Sequence, residues 1–270
     1  MWSVTPTTMF RAAYTRSITG IAPDQSFQIE PTQVAGFTQL YRSAVPEYLV
    51  GATEGAPVQT AGFSLEHRFP TQTYVALGGD WLQTNPERYR GGYTFDYASS
   101  DLASPTQFLE RIDYTERGLT ATLNQLIGKG LAFGVRYRVS RAAIETSYPD
   151  QPLPLVVAES VAAGVPEEVP LQQGALLQLL DLTATYNHSS GLFATIQGLW
   201  NGQTLLTGEH SFDQFWQLNL LLGYRFMGNH GEIAAGILNA TDQEQFLVPI
   251  ASYNIPPRDR MYTARLLFSF

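Results

Sequence analysis

The last nine residues, Tyr262-Thr-Ala-Arg-Leu-Leu-Phe-Ser-Phe270, set the tightest limit on what this chain can fold into. Tyr262, Ala264, Leu266, Phe268 and Phe270 fall on one face at a strict period of two, and Met261, Thr263, Arg265, Leu267 and Ser269 fall on the other. That period belongs to an extended strand with unlike surroundings on its two sides. An aromatic final residue suits the closing strand of a bacterial outer-membrane β-barrel, with one face toward lipid, one toward a wet lumen, and the ring in the interfacial girdle. It also suits the last strand of a soluble β-sandwich, so the rest of the chain has to decide.

Composition narrows the choice. A net charge of −8 leaves no basic surface to displace counterions from nucleic acid. Mean hydropathy is −0.10, and no run approaches the roughly 18 apolar residues of a spanning helix. A barrel stays open, because its strands hide apolar residues at every second position. Cysteine is absent, which removes disulfides and thiolate metal sites. Residues 1–6 carry no basic and apolar leader pattern. The expectation is therefore a barrel region over 1–270 whose signal peptide and any plug domain are encoded ahead of Met1.

Alternation predicts roughly ten antiparallel strands. The clearest has Leu131, Phe133, Val135, Tyr137 and Val139 opposite Ala132, Gly134, Arg136 and Arg138. Trp216, Leu218, Leu220, Leu222 and Tyr224 oppose Gln217, Asn219, Gly223 and Arg225, and Leu180, Leu182, Ala184 and Tyr186 oppose Asp181, Thr183 and Thr185. Leu192, Ala194, Ile196, Gly198 and Trp200 face away from Thr195, Gln197 and Asn201. Weaker cases are Phe10, Ala12 and Tyr14; Phe63, Leu65 and Phe69; and Val75, Leu77 and Trp81. Over 109–126 the pattern changes phase near Gly118, which reads as a bulge. Residues 233–239 are too apolar on both sides to assign a face.

Compact turns at Pro70-Thr71, Gly128-Lys-Gly130, His188-Ser-Ser-Gly191 and Gly228-Asn-His-Gly231 alternate with longer connections at 17–56, 85–105, 147–172, 207–212 and 241–260. Short turns on one rim and long loops on the other are the outer-membrane pattern. Phe69, Tyr186, Phe193, Phe226 and Phe270 gather near the short turns, with Trp81 and Trp200 near the opposite ends, as two girdles would require. The expected fold class is all-β, an antiparallel transmembrane β-barrel, with a short helix possible within 152–170.

The final third resembles a particular family. Gly223-Tyr-Arg-Phe226, the Gly228-Asn-His-Gly231 turn and Gly236-Ile-Leu-Asn239-Ala-Thr-Asp242-Gln243 are similar to the penultimate hairpin of TonB-dependent outer-membrane receptors. Pro257-Arg258-Asp-Arg-Met-Tyr262 and the ending Leu267-Phe268-Ser269-Phe270 resemble that family's last loop and strand. Upstream, residues 6–14 look like the strand before its large loop, although the Pro-Glu element appears reversed, as Glu30-Pro31-Thr32-Gln33. The resemblance implies the C-terminal part of a roughly 22-stranded barrel around an N-terminal plug. It further implies a bacterial outer-membrane location and uptake of a bulky, scarce ligand of the siderophore, cobalamin or glycan class. The implied partners are outer-membrane lipid, the barrel-assembly machinery through the strand ending at Phe270, and, in a full receptor, the plug domain and the TonB system.

Reactive constellations are sparse, and the chain is not read as an enzyme. Glu209, His210 and Asp213 share one external loop without a nucleophile, and His67, His188 and His230 have no metal-ligand spacing. Glu167-Glu168 and Asp242-Gln-Glu244 read as solvated loop charges, and Gly91-Gly92 makes no phosphate cradle. No catalytic, metal or cofactor site is assigned. The binding candidates are the lumen-facing Arg136, Arg138, Gln197, Asn201, Gln217, Asn219 and Arg225, which line a solute path, meet a plug, or merely solvate the wall. Arginine is expected to be tolerated at Asn219 and not at Leu220 or Val135.

Two other readings remain open at this point. One is a free-standing ten-stranded barrel serving as a small pore, adhesin or surface enzyme, which needs strand 7–14 to pair with 262–270. The other is a soluble all-β binding module whose apolar faces cover one another.

Overall fold

The computed structural model describes residues 2–18, 56–94, 104–149, 172–207, 212–243 and 260–269. The readings made on Glu30-Pro31, on 152–170 with Glu167 and Glu168, and on Glu209, His210, Glu244, Pro257, Arg258 and Phe270 lie outside them. The described chain is all-β. Its strands are β1 (Trp2–Thr5), β2 (Thr8–Ile18), β3 (Pro57–Arg68), β4 (Thr73–Thr84), β5 (Glu87–Thr94), β6 (Ser104–Ile127), β7 (Leu131–Ser147), β8 (Gln172–Asn187), β9 (Leu192–Leu205), β10 (Phe212–Phe226), β11 (Gly231–Leu238) and β12 (Met261–Phe268). They form one antiparallel sheet in the order β1-β2-β3-β4-β6-β7-β8-β9-β10-β11-β12, with β5 on β6. The sheet is open: β1 and β12 are its two edges.

The ten strands expected from alternation correspond to β2–β4 and β6–β12, while β1 and β5 add to that reading. β5 falls where a loop was expected, yet it continues β4 in the same register. Thr84 pairs with Tyr114 and Glu87 with Arg111, so only Asn85-Pro86 interrupts the strand. Proline has no N–H for the ladder, but the Pro86 carbonyl still accepts from Ile112 N at 3.0 Å.

The bulge expected at Gly118 is absent. Pairing runs without slip from Arg111↔Ser147 to Ile127↔Leu131. What changes at Gly118 is the environment of one face: Arg111, Asp113, Thr115 and Arg117 give way to Leu119, Ala121, Leu123 and Ile127 at the same parity. A polar-to-apolar switch along one face mimics a phase shift in sequence.

The register assigns every side chain to one of two faces, including β11, where Leu222↔Ala235 and Tyr224↔Ile233 settle the ambiguity. Exposure then runs opposite to that of a water-soluble sheet. On the apolar face, Phe63, Leu77, Leu123, Val135, Ile196, Trp216, Leu222, Ile233 and Leu266 are 36–63% exposed. On the other face, Glu116, Ser140, Thr195, Gln197, Gln217 and Asn219 are 1–5% exposed. No second sheet covers the apolar face among the described residues, as a sandwich would require.

The short turns share one rim. Gly191 shows what glycine does in one of them: its φ is +96°, and a Cβ there would lie 2.2 Å from the Arg225 carbonyl oxygen of the adjacent hairpin. Gly191→Ala is expected to destabilise the sheet by roughly 2 kcal/mol or more, read as a lower denaturant midpoint. An unchanged midpoint would mean the turn relaxes freely.

The hairpins are also staggered. A line of directly opposed residues leaves Thr73 beside the first short turn. It passes Gln125 and Phe133, then Ala184 and Ile196, then Leu220 and Ile237. Each hairpin's pair stands farther from its own turn than the pair before, so the strands tilt progressively against the rim.

Candidate functional site: the polar face

All seven sequence candidates lie on the polar face, but the sheet's own bonding uses most of them. Arg138 on β7 reaches across β6 to Asp80 on β4, with Nη1 donating to Oδ1 at 2.6 Å and Nη2 to Oδ2 at 2.8 Å. It also donates to Thr120 Oγ1 at 3.2 Å and stands 4.0 Å from Glu116, which accepts from the Tyr114 hydroxyl at 2.5 Å. Gly118 makes this crossing possible. A Cβ there would sit 2.7 Å from Arg138 Nη2 and 2.8 Å from Asp80 Oδ2, so the missing side chain is the slot through which the ion pair passes.

A second network ties β8 to β11. Gln197 Nε2 donates to Asp181 Oδ2 at 2.9 Å, and Asn219 Nδ2 donates to Gln197 Oε1 at 2.9 Å. Asn219 Oδ1 in turn accepts from Gln217 Nε2 at 3.2 Å and from the Asn239 backbone N–H at 2.9 Å. Asn239 is buried with φ +50°, a left-handed conformation that asparagine tolerates. Its Oδ1 accepts from Gln243 N at 3.1 Å and Thr241 Oγ1 at 3.2 Å. Asp242 then accepts from Arg260 N at 3.0 Å and pairs with its guanidinium at 3.5 Å. The Asn239-Ala-Thr-Asp242-Gln243 run therefore works as a clasp, holding the chain between β11 and β12 at both ends.

The third group surrounds Arg225. Glu232 takes Arg225 at 3.0 Å and Arg265 at 2.5 Å, and Arg225 Nη1 donates to Asn187 Oδ1 at 2.9 Å. The Arg225 guanidinium also lies 4.3 Å over the Phe193 ring. Phe193 corrects the girdle expectation: its pairing with Gly223 puts it on the polar face, where its ring lies over that glycine's bare backbone and is 3% exposed. It joins Leu221, Ala234 and Leu238 in an apolar cluster on that face, while Tyr114, Ala142 and Ala175 form another nearer the opposite rim.

Asn219 carries a second correction. It is on the expected face but only 1% exposed and fully engaged, so arginine has no room there. Among the candidates, the Arg136 and Asn201 side chains take no hydrogen bond or ion pair within the described residues, and the Asn201 Nδ2 is buried. Of the seven candidates, these two are the ones whose donors are left for another molecule.

The described histidines serve local structure. His67 bonds Thr8 Oγ1 at 2.8 Å, His188 bonds Ser190 Oγ at 2.8 Å, and His230 Nδ1 meets the Ser269 carbonyl at 3.2 Å. Asp213 accepts from Gln203 Nε2 at 3.2 Å. Among the described residues no group of three or more His, Asp or Glu side chains is placed to hold a metal ion. No protein-family model matches the chain, and no curated protein matches it.

Proposed function

We propose that this chain is the C-terminal part of the barrel of a TonB-dependent-receptor-like outer-membrane transporter, which takes up a bulky, scarce ligand such as a siderophore, cobalamin or glycan. The observation that carries the reading is the inverted exposure: apolar side chains uncovered on one face, polar ones buried on the other. In water so extended an uncovered apolar face is unfavourable; in a bilayer it is the required surface. Strands of 11–17 residues, as in β2–β4 and β7–β10, reach the length needed to cross the hydrocarbon when tilted. The progressive hairpin stagger is the tilt that barrel closure demands.

The open edges support a part of a larger barrel over a self-closed ten-stranded one. Self-closure needs β2 beside β12, whereas β1 already takes that side of β2 over Thr8, Met9 and Phe10. An unpaired edge is not viable in lipid, so β1 and β12 call for further strands. Arg136 and Asn201 would then face a plug or ligand, long loops on the far rim would select it, and the C-terminal strand would be the segment the assembly machinery engages. The test is an immunoblot of outer-membrane fractions with an antibody against this chain. A band far above 29.9 kDa in those fractions is the expected result. A heat-modifiable band near that mass favours the self-closed pore, and recovery in the aqueous fraction without detergent overturns any barrel.

A further inference from the structure

The apolar face holds one feature that a uniform lipid-facing wall does not need. Arg117 on β6 and Arg141 on β7 are directly opposed across the ladder, and both are exposed on the outward face. Like charges directly opposed destabilise a strand pair. Neither guanidinium takes a hydrogen bond or ion pair among the described residues. The outward carboxylates of this hairpin, Asp113 and Glu145, stand roughly 13 Å farther up the strands. Asp80, directly opposite Gly118 on β4, is on the other face and held by Arg138.

Beside this pair lies a groove of about 870 Å³, lined by Tyr14, Phe63, Trp81, Leu119, Val139 and Leu176, with both arginines at its border. Its floor lies where Ala12 and Ala61 carry small side chains, while the Phe63 ring fills the place a Gly79 side chain would take, 2.5 Å from where a Cβ would stand. The level is informative. From Arg117 to Ile127 the strand runs roughly 33 Å, which at a tilt of about 40° is about 25 Å of height, the thickness of an outer-membrane apolar band. The arginines stand where apolar side chains give way to polar ones, on the rim opposite the short turns.

We propose that this groove seats the acyl chains of a phosphorylated lipid whose phosphate lies between the guanidinium groups of Arg117 and Arg141. The inference rests on the membrane reading above. A phosphate there turns an unfavourable like-charge pair into a bidentate anion clamp. The groove alongside, which reaches one level farther toward the short turns at Phe63, Leu119 and Val139, supplies an apolar seat that a free phosphate would leave empty.

The test uses the full-length protein that carries this chain, extracted from outer membranes in mild detergent, with retained lipid read by native mass spectrometry. The Arg117→Gln/Arg141→Gln variant is expected to retain roughly thirtyfold less phosphorylated lipid, at an unchanged level of zwitterionic lipid, and Arg117→Lys/Arg141→Lys to keep most of it. Equal retention by wild type and the glutamine variant, with both in the membrane fraction, overturns the site and leaves the barrel reading standing. Absence from the membrane fraction overturns both. A wild-type competition needs no variant. Added phosphorylated lipid is expected to displace the bound lipid while inorganic phosphate at the same concentration does not; equal displacement by phosphate overturns the acyl seat.

Discussion

Leu123→Arg is expected to cut the folded membrane yield sharply, whereas Asn124→Arg one residue along assembles like wild type. The two positions are neighbours on β6 and both are exposed, but they point to opposite faces. Leu123 is 44% exposed between Leu119 and Ile127, in the middle of the apolar band. A guanidinium there costs roughly 2–4 kcal/mol in a bilayer, which at about 1.4 kcal/mol per tenfold is a loss of one to three decades in the folding equilibrium. Asn124 lies exposed on the polar face opposite Gly134, and its Oδ1 reaches over that glycine's bare backbone, 3.0 Å from where a Cβ would stand. If the chain instead folded in water, both would be ordinary surface substitutions within roughly 0.5 kcal/mol of wild type. The measurement is the heat-modifiable fraction in outer membranes for the two variants side by side. Equal yields would remove the physical basis for calling one face lipid-exposed.

The faces were legible in sequence wherever unlike residues alternate strictly, as in β7, β9 and β10, because a period of two leaves no choice of side. They were illegible in β11, where Ala234 and Ala235 carry no contrast and only pairing with β10 decides. The β5 extension was hidden by Pro86, since a residue that cannot donate to a ladder reads as its end although the register continues beyond it. At Gly118 the alternation test failed for a different reason: it assumes one medium along a whole strand, and β6 changes medium midway. The site candidates were chosen by face, which sequence reports well. Which of them are spent was not readable, because the bonds run diagonally and across intervening strands. Arg138 and Asp80 are 58 residues apart and meet only because Gly118 leaves a gap between them. A glycine on the polar face, opposite an Asp on one neighbouring strand and near an Arg on the other, is the signal that would have found that pair.

Asn219→Leu is expected to lower stability by roughly 3–5 kcal/mol, although it exchanges side chains of similar size. Leucine offers no acceptor to Gln217 Nε2 or the Asn239 N–H and no donor to Gln197 Oε1, and each such loss at a buried group costs roughly 1–3 kcal/mol. Asn219→Asp separates the contributions: it keeps the acceptor and loses the donor, so it should fall between leucine and wild type. The effect has a direction in the fold as well. Asn239 positions the turn that Asp242 clamps onto Arg260, immediately before β12. Loosening Asn239 should therefore loosen β12, which among the described strands pairs with β11 alone, before it loosens β9 or β10. Amide hydrogen exchange in detergent is expected to accelerate first over Met261–Phe268 in Asn219→Leu, with protection in Leu192–Leu205 largely kept. A uniform loss of protection across all three strands would mean that Asn219 supports the sheet as a whole rather than the clasp that leads into its last strand.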